Sequence, residues 1–190
     1  HQLLAAIDAL LSYDSEMRIA IEPKPNEPMD VSYIPTIGHA LALALQTSEP
    51  ARVGCLVESA HAILAGLDPA DEMAFALAFD KLYSVHLNDQ NGLKFDQDRS
   101  FGAVNLRRAF DQVLVLEENN YASRGMVGMD VKALRTQPAA LATKHLRNSI
   151  EMFLCLVEKV RSLDRARIDE LRASRDYEEL DWLITTTLMG

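Results

Sequence analysis

Seven residues combine a cation-holding side chain with a place at or just past a strand end or in the loop that follows one: Glu22, Glu58, His61, His86, Asp96, Asp98 and Asp130. Carboxylate oxygens mixed with imidazoles suit Mg, Mn or Co, with Zn also accommodated. Asp96 and Asp98 stand one residue apart in the polar, glycine-containing stretch 88–98. In extended backbone residues i and i+2 point the same way, so the pair would grip one cation together. Glu58 and His61 are three apart just past an apolar run, a spacing that lets both bind with Glu58 bridging two ions. Five carboxylates crowded at one mouth without cations would force several to take up protons. Two divalent ions supply four positive charges and Lys24 one more, so the charge balance favours a two-metal site.

The elements that would position these residues alternate along the chain. A helical stripe of Leu3, Leu4, Ile7, Leu10 and Leu11 covers 1–13. A short apolar strand at 18–22 ends in Glu22, and Pro23, Pro25 and Pro28 hold the next stretch extended. An Ala- and Leu-rich helix follows at 36–46, then a strand at 52–58 ending in Glu58. Asp68 and Pro69 open a helix to about Lys81, with Asp71 and Glu72 at its positive end. The third strand, 82–87, carries His86 at its end. After the Asp-x-Asp loop comes an amphipathic helix over 105–118, with Leu106, Phe110, Val113, Leu114 and Leu116 apolar. A fourth strand at 125–130 ends in Asp130. A long helix over 139–163 and charged helical segments over 165–188 close the chain.

Strand ends therefore recur at Glu22, Glu58, His86 and Asp130, at spacings of 36, 28 and 44. Alternation of this kind implies a parallel sheet with helices outside. In a closed (β/α)₈ barrel the carboxyl ends of the strands form the active face. An open flavodoxin-like sheet alternates too, but no glycine-rich phosphate loop follows the first strand.

The 190 residues suffice for one domain with a real core. A net charge of −9 argues against nucleic acid or an anionic membrane as the main partner. No apolar run approaches the roughly 20 residues of a membrane span. The first residue is His1 and no signal peptide is visible. Cys55 and Cys155 form no metal or redox motif and read as two buried thiols in a reducing, cytoplasmic compartment. His39 and His145 fall in expected helices and read as surface or packing residues.

Five ordered motifs resemble the xylose isomerase family. They are Ile21-Glu22-Pro23-Lys24-Pro25-Asn26-Glu27-Pro28 with the run at 38–42, and Glu58-Ser59-Ala60-His61 with Leu64-Ala65-Gly66-Leu67. Gly92-Leu93-Lys94-Phe95-Asp96-Gln97-Asp98 with Phe101-Gly102-Ala103, and Met129-Asp130-Val131-Lys132 with Arg135-Thr136, complete the set across 18–163. The resemblance implies a (β/α)₈ TIM barrel that interconverts an aldose and a ketose by a 1,2-hydride shift on an open-chain sugar held by two divalent cations. It places Glu22, Glu58, His86 and Asp130 around the first ion and Glu58, His61, Asp96 and Asp98 around the second. It gives Lys24 the C1 oxygen of the monosaccharide, with Asp98 and His61 serving catalysis. His86 departs from the family's aspartate; rhamnose isomerases and some ketose epimerases of the superfamily place a histidine there.

The family's first four βα units have no counterpart. The chain thus reads as the C-terminal half of a barrel over 1–163, the last four βα units, plus a helical arm over 164–190. Half a barrel leaves two strand edges unpaired. A missing N-terminal half, a second chain or a swapped partner would complete it, within a homo-oligomer such as a dimer or tetramer. Two other readings stand beside the isomerase. One is a metal-dependent endonuclease on the same scaffold, which the acidic charge disfavours. The other is a non-catalytic metal-binding half-barrel that serves assembly.

Overall fold

The computed structural model describes residues 1–190. Four strands, β1 (Ile19–Ile21), β2 (Val53–Glu58), β3 (Leu82–Leu87) and β4 (Met126–Met129), pair in parallel in the order β1-β2-β3-β4. Parallel neighbours require crossovers, and helices supply them. These are α2 (Ile37–Ala44), then α3 (Ser59–Leu64) with α4 (Pro69–Ala78), then α5 (Leu106–Glu118). α1 (Gln2–Tyr13) precedes the sheet, and α6 (Lys144–Arg161), α7 (Arg165–Ser174) and α8 (Tyr177–Met189) follow it.

The helices lie on one face of the sheet. Cys55 and Val57 of β2 and Val85 and Leu87 of β3 point into a core shared with Ile37, Leu41, Met73, Phe110, Val113, Leu156 and Val160. Removing each large side chain of this kind from water contributes on the order of 1.5–3 kcal/mol. Alternation sends Gly54, Leu56 and Glu58 of β2, and Ser84 and His86 of β3, to the other face. There the register sets Glu58 beside His86 and His86 beside Gly128. A Cβ on Gly128 would approach the His86 ring to 3.3 Å, so the glycine makes room for the imidazole. β1 and β4 are the open edges of the sheet.

Helix starts follow the expected chemistry. Asp68 accepts from the Ala70 amide at 2.8 Å with Pro69 in the first turn of α4. Glu72 of that turn also accepts from the Ile37 amide at 2.9 Å and so caps α2. Asn105 caps α5 through the Arg108 amide at 3.0 Å. Asp164 and Asp176 cap α7 and α8 in the same manner.

Some expectations are corrected. The expected helix over 139–163 is a 3-10 turn, Ala139–Leu141, followed by α6. α3 was not foreseen: Glu58 is its N-cap and His61 its third residue. Phe110, Val113 and Leu116 of the α5 stripe are buried, but Leu106 is 38% exposed. Cys55 is buried, whereas Cys155 is exposed, because it falls on the outer side of α6. Both are unpaired thiols. In the closing helices Ile168 and Ile184 join the main core, and Arg165 pairs with Glu118. No helix is long and apolar enough to cross a membrane.

Gly54 is a point of close approach. A Cβ there would meet the Tyr83 ring at 2.5 Å and the Lys81 carbonyl at 2.7 Å. Gly54→Val is therefore expected to destabilise the chain by about 1–3 kcal/mol through overpacking. That lowers the melting temperature by several degrees at this size. A variant melting within a degree of the parent would show that the strand has slack at this point.

Candidate metal centre

The carboxyl ends of the four strands converge. Glu22 follows β1, Glu58 ends β2, His86 lies near the end of β3 and Asp130 follows β4. One donor atom from each of these four residues lies within 4.8 Å of the others. A second group, Glu58, His61 and Asp96, meets the same criterion, so Glu58 belongs to both. Glu58 is nearly sealed, with 1% of its side chain exposed, and its two oxygens face different ways. Oε1 lies 3.2 Å from His61 Nε2, and Oε2 lies 3.9 Å from His86 Nδ1. His86 Nδ1 is also 3.8 Å from Asp130 Oδ2, and His61 Nδ1 is 3.4 Å from Glu22 Oε1.

Asp96 and Asp98 are brought to this mouth by the loop after β3. The loop does not hold them in extended backbone. Phe95 and Asp98 have positive φ angles of 60° and 43°. Buried Gln90 clamps the loop from inside, donating to the carbonyls of Gly92, Lys94 and Phe95 and accepting from the Gln97 amide. Glu27 accepts from the Asp96 amide at 3.1 Å, which ties the loop to the segment after β1. The turned backbone separates the two carboxylates' partners. Asp96 Oδ2 meets Lys24 Nζ at 2.6 Å and His61 Nε2 at 3.4 Å. Asp98 instead receives Asn88 at 3.1 Å and pairs with Lys132. Asp98 thus lines the site but stands outside both ligand groups.

Glu22, Lys24, Glu58, His61, Asp96, Asp98, Asp130 and Lys132 line one open cavity of about 420 Å³ with no apolar side chain. A cavity of about 450 Å³ at the opposite ends of the strands, near Arg18, Tyr83 and Arg124, contains no carboxylate or imidazole.

The electrostatics of the mouth are those of a crowded acidic site. Burial, followed by the hydrogen bond with Glu22, pushes Glu58 up to about 10, against a smaller downward effect of Asn88. Burial also raises Asp98; the Asp96 charge adds to this and Lys132 opposes it. Burial would raise Asp96 as well, but hydrogen bonds from His61 and Lys24 outweigh it and hold Asp96 below the ordinary carboxylate range. For Lys24, burial acts downward, yet the Asp96 partner prevails and keeps the ammonium charged. The Asp98 hydrogen bond raises Lys132.

Three buried polar atoms here make no hydrogen bond: His61 Nδ1, His86 Nδ1 and Asp96 Oδ1. Unmatched buried polar atoms are costly, and three at one mouth fit a group that accepts lone pairs. A divalent cation is such a group, and it would also relieve the Glu58–Glu22 repulsion.

Three residues of the site were not assigned to it by motif and spacing. Asn88 is 1% exposed and donates to Glu58, Asp98 and the Asp130 carbonyl. Gln90 builds the loop, and Lys132 neutralises Asp98. Lys132, two residues past a strand-end aspartate, could have been suspected from its position; Asn88 and Gln90 gave no signal beyond a polar loop.

A parallel α/β sheet whose carboxyl ends gather two overlapping carboxylate–imidazole groups defines a candidate metal-site protein of the α/β class. No family model matches the chain. Among curated proteins, it is 37% identical to the xylose isomerase of Streptomyces lividans over 180 residues, 87% of this chain and 45% of that protein. It is also 37% identical to the xylose isomerase of Thermus thermophilus, over 83% of this chain and 40% of that protein. The enzyme of Thermus caldophilus gives 37% over 85% and 42% respectively. These matches support a xylose isomerase-like family for the chain, which spans less than half the length of these relatives.

Proposed function

We propose that this chain supplies the ion-holding half of a (β/α)₈ aldose–ketose isomerase of the xylose isomerase type. The observation that carries the reading is the meeting of Glu22, Glu58, His86 and Asp130 from four successive strand ends. Glu22, Glu58, His86 and Asp130 would hold one divalent ion, and Glu58, His61 and Asp96 the other, with Asp98 turning in from Lys132. Hard oxygens with two imidazoles suit Mg, Mn or Co, and Zn within the same donor set. Such ions, when bound, supply Lewis acidity and lower the pKa of nearby water and hydroxyl groups.

The chain's own residues do the rest. Lys24, kept cationic by Asp96, would donate to a developing negative oxygen at C1 of an open-chain monosaccharide. His61, wedged between Glu22, Glu58 and Asp96, keeps these carboxylates in fixed relative positions. Asp98, raised by burial and matched with Lys132, can hold or pass the proton of a sugar hydroxyl. The all-polar cavity suits a polyol.

Barrel closure belongs to the same proposal. Residues 1–163 form the C-terminal half, and strands from an N-terminal half would cover the open β1 and β4 edges. The arm over 164–190 exposes Tyr177, Trp182 and Met189 for a second copy of the chain in a homo-oligomer. Two unpaired thiols support a reducing, cytoplasmic setting. His86 favours one second reading, a rhamnose isomerase- or ketose epimerase-type substrate on the same scaffold.

The test supplies the chain with an N-terminal half-barrel and assays a panel of aldoses with Mg or Mn in deuterated water. A hydride shift carries the C2 hydrogen to C1 without solvent label. Ketose formed with full solvent deuterium at C1 would rule out the hydride shift, and no turnover of any aldose would end the isomerase reading.

A further inference from the structure

Asn88 is buried at the convergence of the strand ends, and every polar atom of its side chain is engaged. Nδ2 donates to Glu58 Oε1 at 3.0 Å, to Asp98 Oδ1 at 3.1 Å and to the Asp130 carbonyl at 2.9 Å. Oδ1 accepts from the Ala60 amide at 2.7 Å. The reverse orientation of the amide would set oxygen against two carboxylates and a carbonyl, and N–H against N–H, so the network admits one orientation. Two N–H groups are thus shared among three acceptors.

We infer that Asn88 is the positioning residue that couples the two ligand groups. Glu58 is the member common to both, and Asn88 fixes the oxygen that Glu58 turns toward His61. The same amide holds Asp98 and anchors the backbone carbonyl of Asp130, a member of the other group. One side chain therefore sets the relative placement of the end of β2, the Asp-x-Asp loop and the end of β4. This role rests on the two-ion reading above, but Asn88 itself is given no contact with ion or sugar.

Residues that orient ligands from behind are typically worth about 10–100-fold in metal affinity. Asn88→Leu keeps the volume and loses the donors; Asn88→Ala loses both. Titration calorimetry with Mn²⁺ is expected to show both ions bound at least about tenfold more weakly in each variant. The visible absorption bands of the Co²⁺-loaded protein should shift in both variants, since the donors move. A purely structural role would lower the metal-free melting temperature and leave affinity and bands alone, and that outcome overturns the inference. No uptake by the parent chain overturns the two-ion reading and this role together, while uptake equal in parent and variants overturns the Asn88 role alone. Should neither variant fold, the parent decides. Its Asn88 side-chain amide protons, in ¹⁵N-labelled protein, should exchange slowly and shift on Mg²⁺ titration; resonances that do not shift overturn the role.

Discussion

Glu58→Gln will bind neither divalent ion with useful affinity, while the metal-free chain keeps its fold. The loss should be at least the roughly 10–100-fold expected for removing a ligand's supporting partner, because here the shared ligand itself loses its charge. The opposite behaviour of the metal-free fold follows from the same residue. Burial and the Glu22 hydrogen bond push Glu58 up to about 10. In the unfolded chain it titrates near 4.5. A carboxyl whose folded pKa is raised contributes stability that is fully present below the unfolded pKa and is lost as pH climbs toward the folded one. The metal-free parent should therefore weaken between about pH 4.5 and 10, whereas glutamine mimics the protonated form and removes that slope. Asp96 acts in the other direction: held below the usual range, it contributes stability above its unfolded pKa of about 3.8 that disappears on further acidification. Urea midpoints of parent and variant at pH 5, 7 and 9 decide the matter. Equal slopes would mean that Glu58 is ionised in the folded state without a cation, and retained ion uptake by the variant would remove Glu58 from the shared position.

The strands and the order of the elements were legible because the apolar runs are short, bounded and each capped by a polar residue. β2 is buried along its whole length, and β3 along most of it, which is what a strand between two parallel neighbours needs. α4 and α5 were legible through Asp68-Pro69 and the apolar stripe, both local signals. α3 was missed because six residues are too few to show a period, and its start coincides with a strand end. The burial of Cys155 was expected from residue type alone; the helix phase that turns it outward depends on which side of α6 meets α5, a tertiary fact.

The site divides in the same way. The meeting of Glu22, Glu58, His86 and Asp130 was legible from topology, since strand ends of a parallel sheet must share one edge of the molecule. Asp96 and Asp98 were expected to point together, and the positive φ angles at Phe95 and Asp98 deny the extended backbone on which that rested. Nothing in Asp-x-Asp announces such turns; the clamp by Gln90 that stabilises them closes a ring of hydrogen bonds invisible in a linear pattern. Lys132 lies far from Asp98 in sequence and meets it only because a backbone bond, Lys132 N–H to the Asp98 carbonyl at 2.8 Å, brings the two segments together.

Saturating divalent ion will raise the melting temperature of the chain by an amount that single surface ions cannot produce. An ion present at 100 times its dissociation constant stabilises the folded state by about 2.7 kcal/mol, provided it ignores the unfolded chain. For a chain of this size that is about 5–11 °C. The donors are already gathered, with the four-residue and three-residue groups each within 4.8 Å, so little backbone movement opposes binding. The gain should grow from pH 5 to pH 8, because an ion must displace the proton that Glu58 retains in the metal-free state, and that proton leaves more readily as pH rises. Calorimetric scans with Mg²⁺, Mn²⁺ and Co²⁺ at fixed ionic strength, each reversed by chelator, measure the effect. Potassium at matched ionic strength serves as the control for screening, which acts on exposed pairs such as Arg147–Glu151 and leaves the sealed Glu58 little changed. A divalent shift no larger than the potassium shift would mean that the lysines and the shared proton already satisfy the mouth, and that the gathered carboxylates are an ion-pair network and not a cation site.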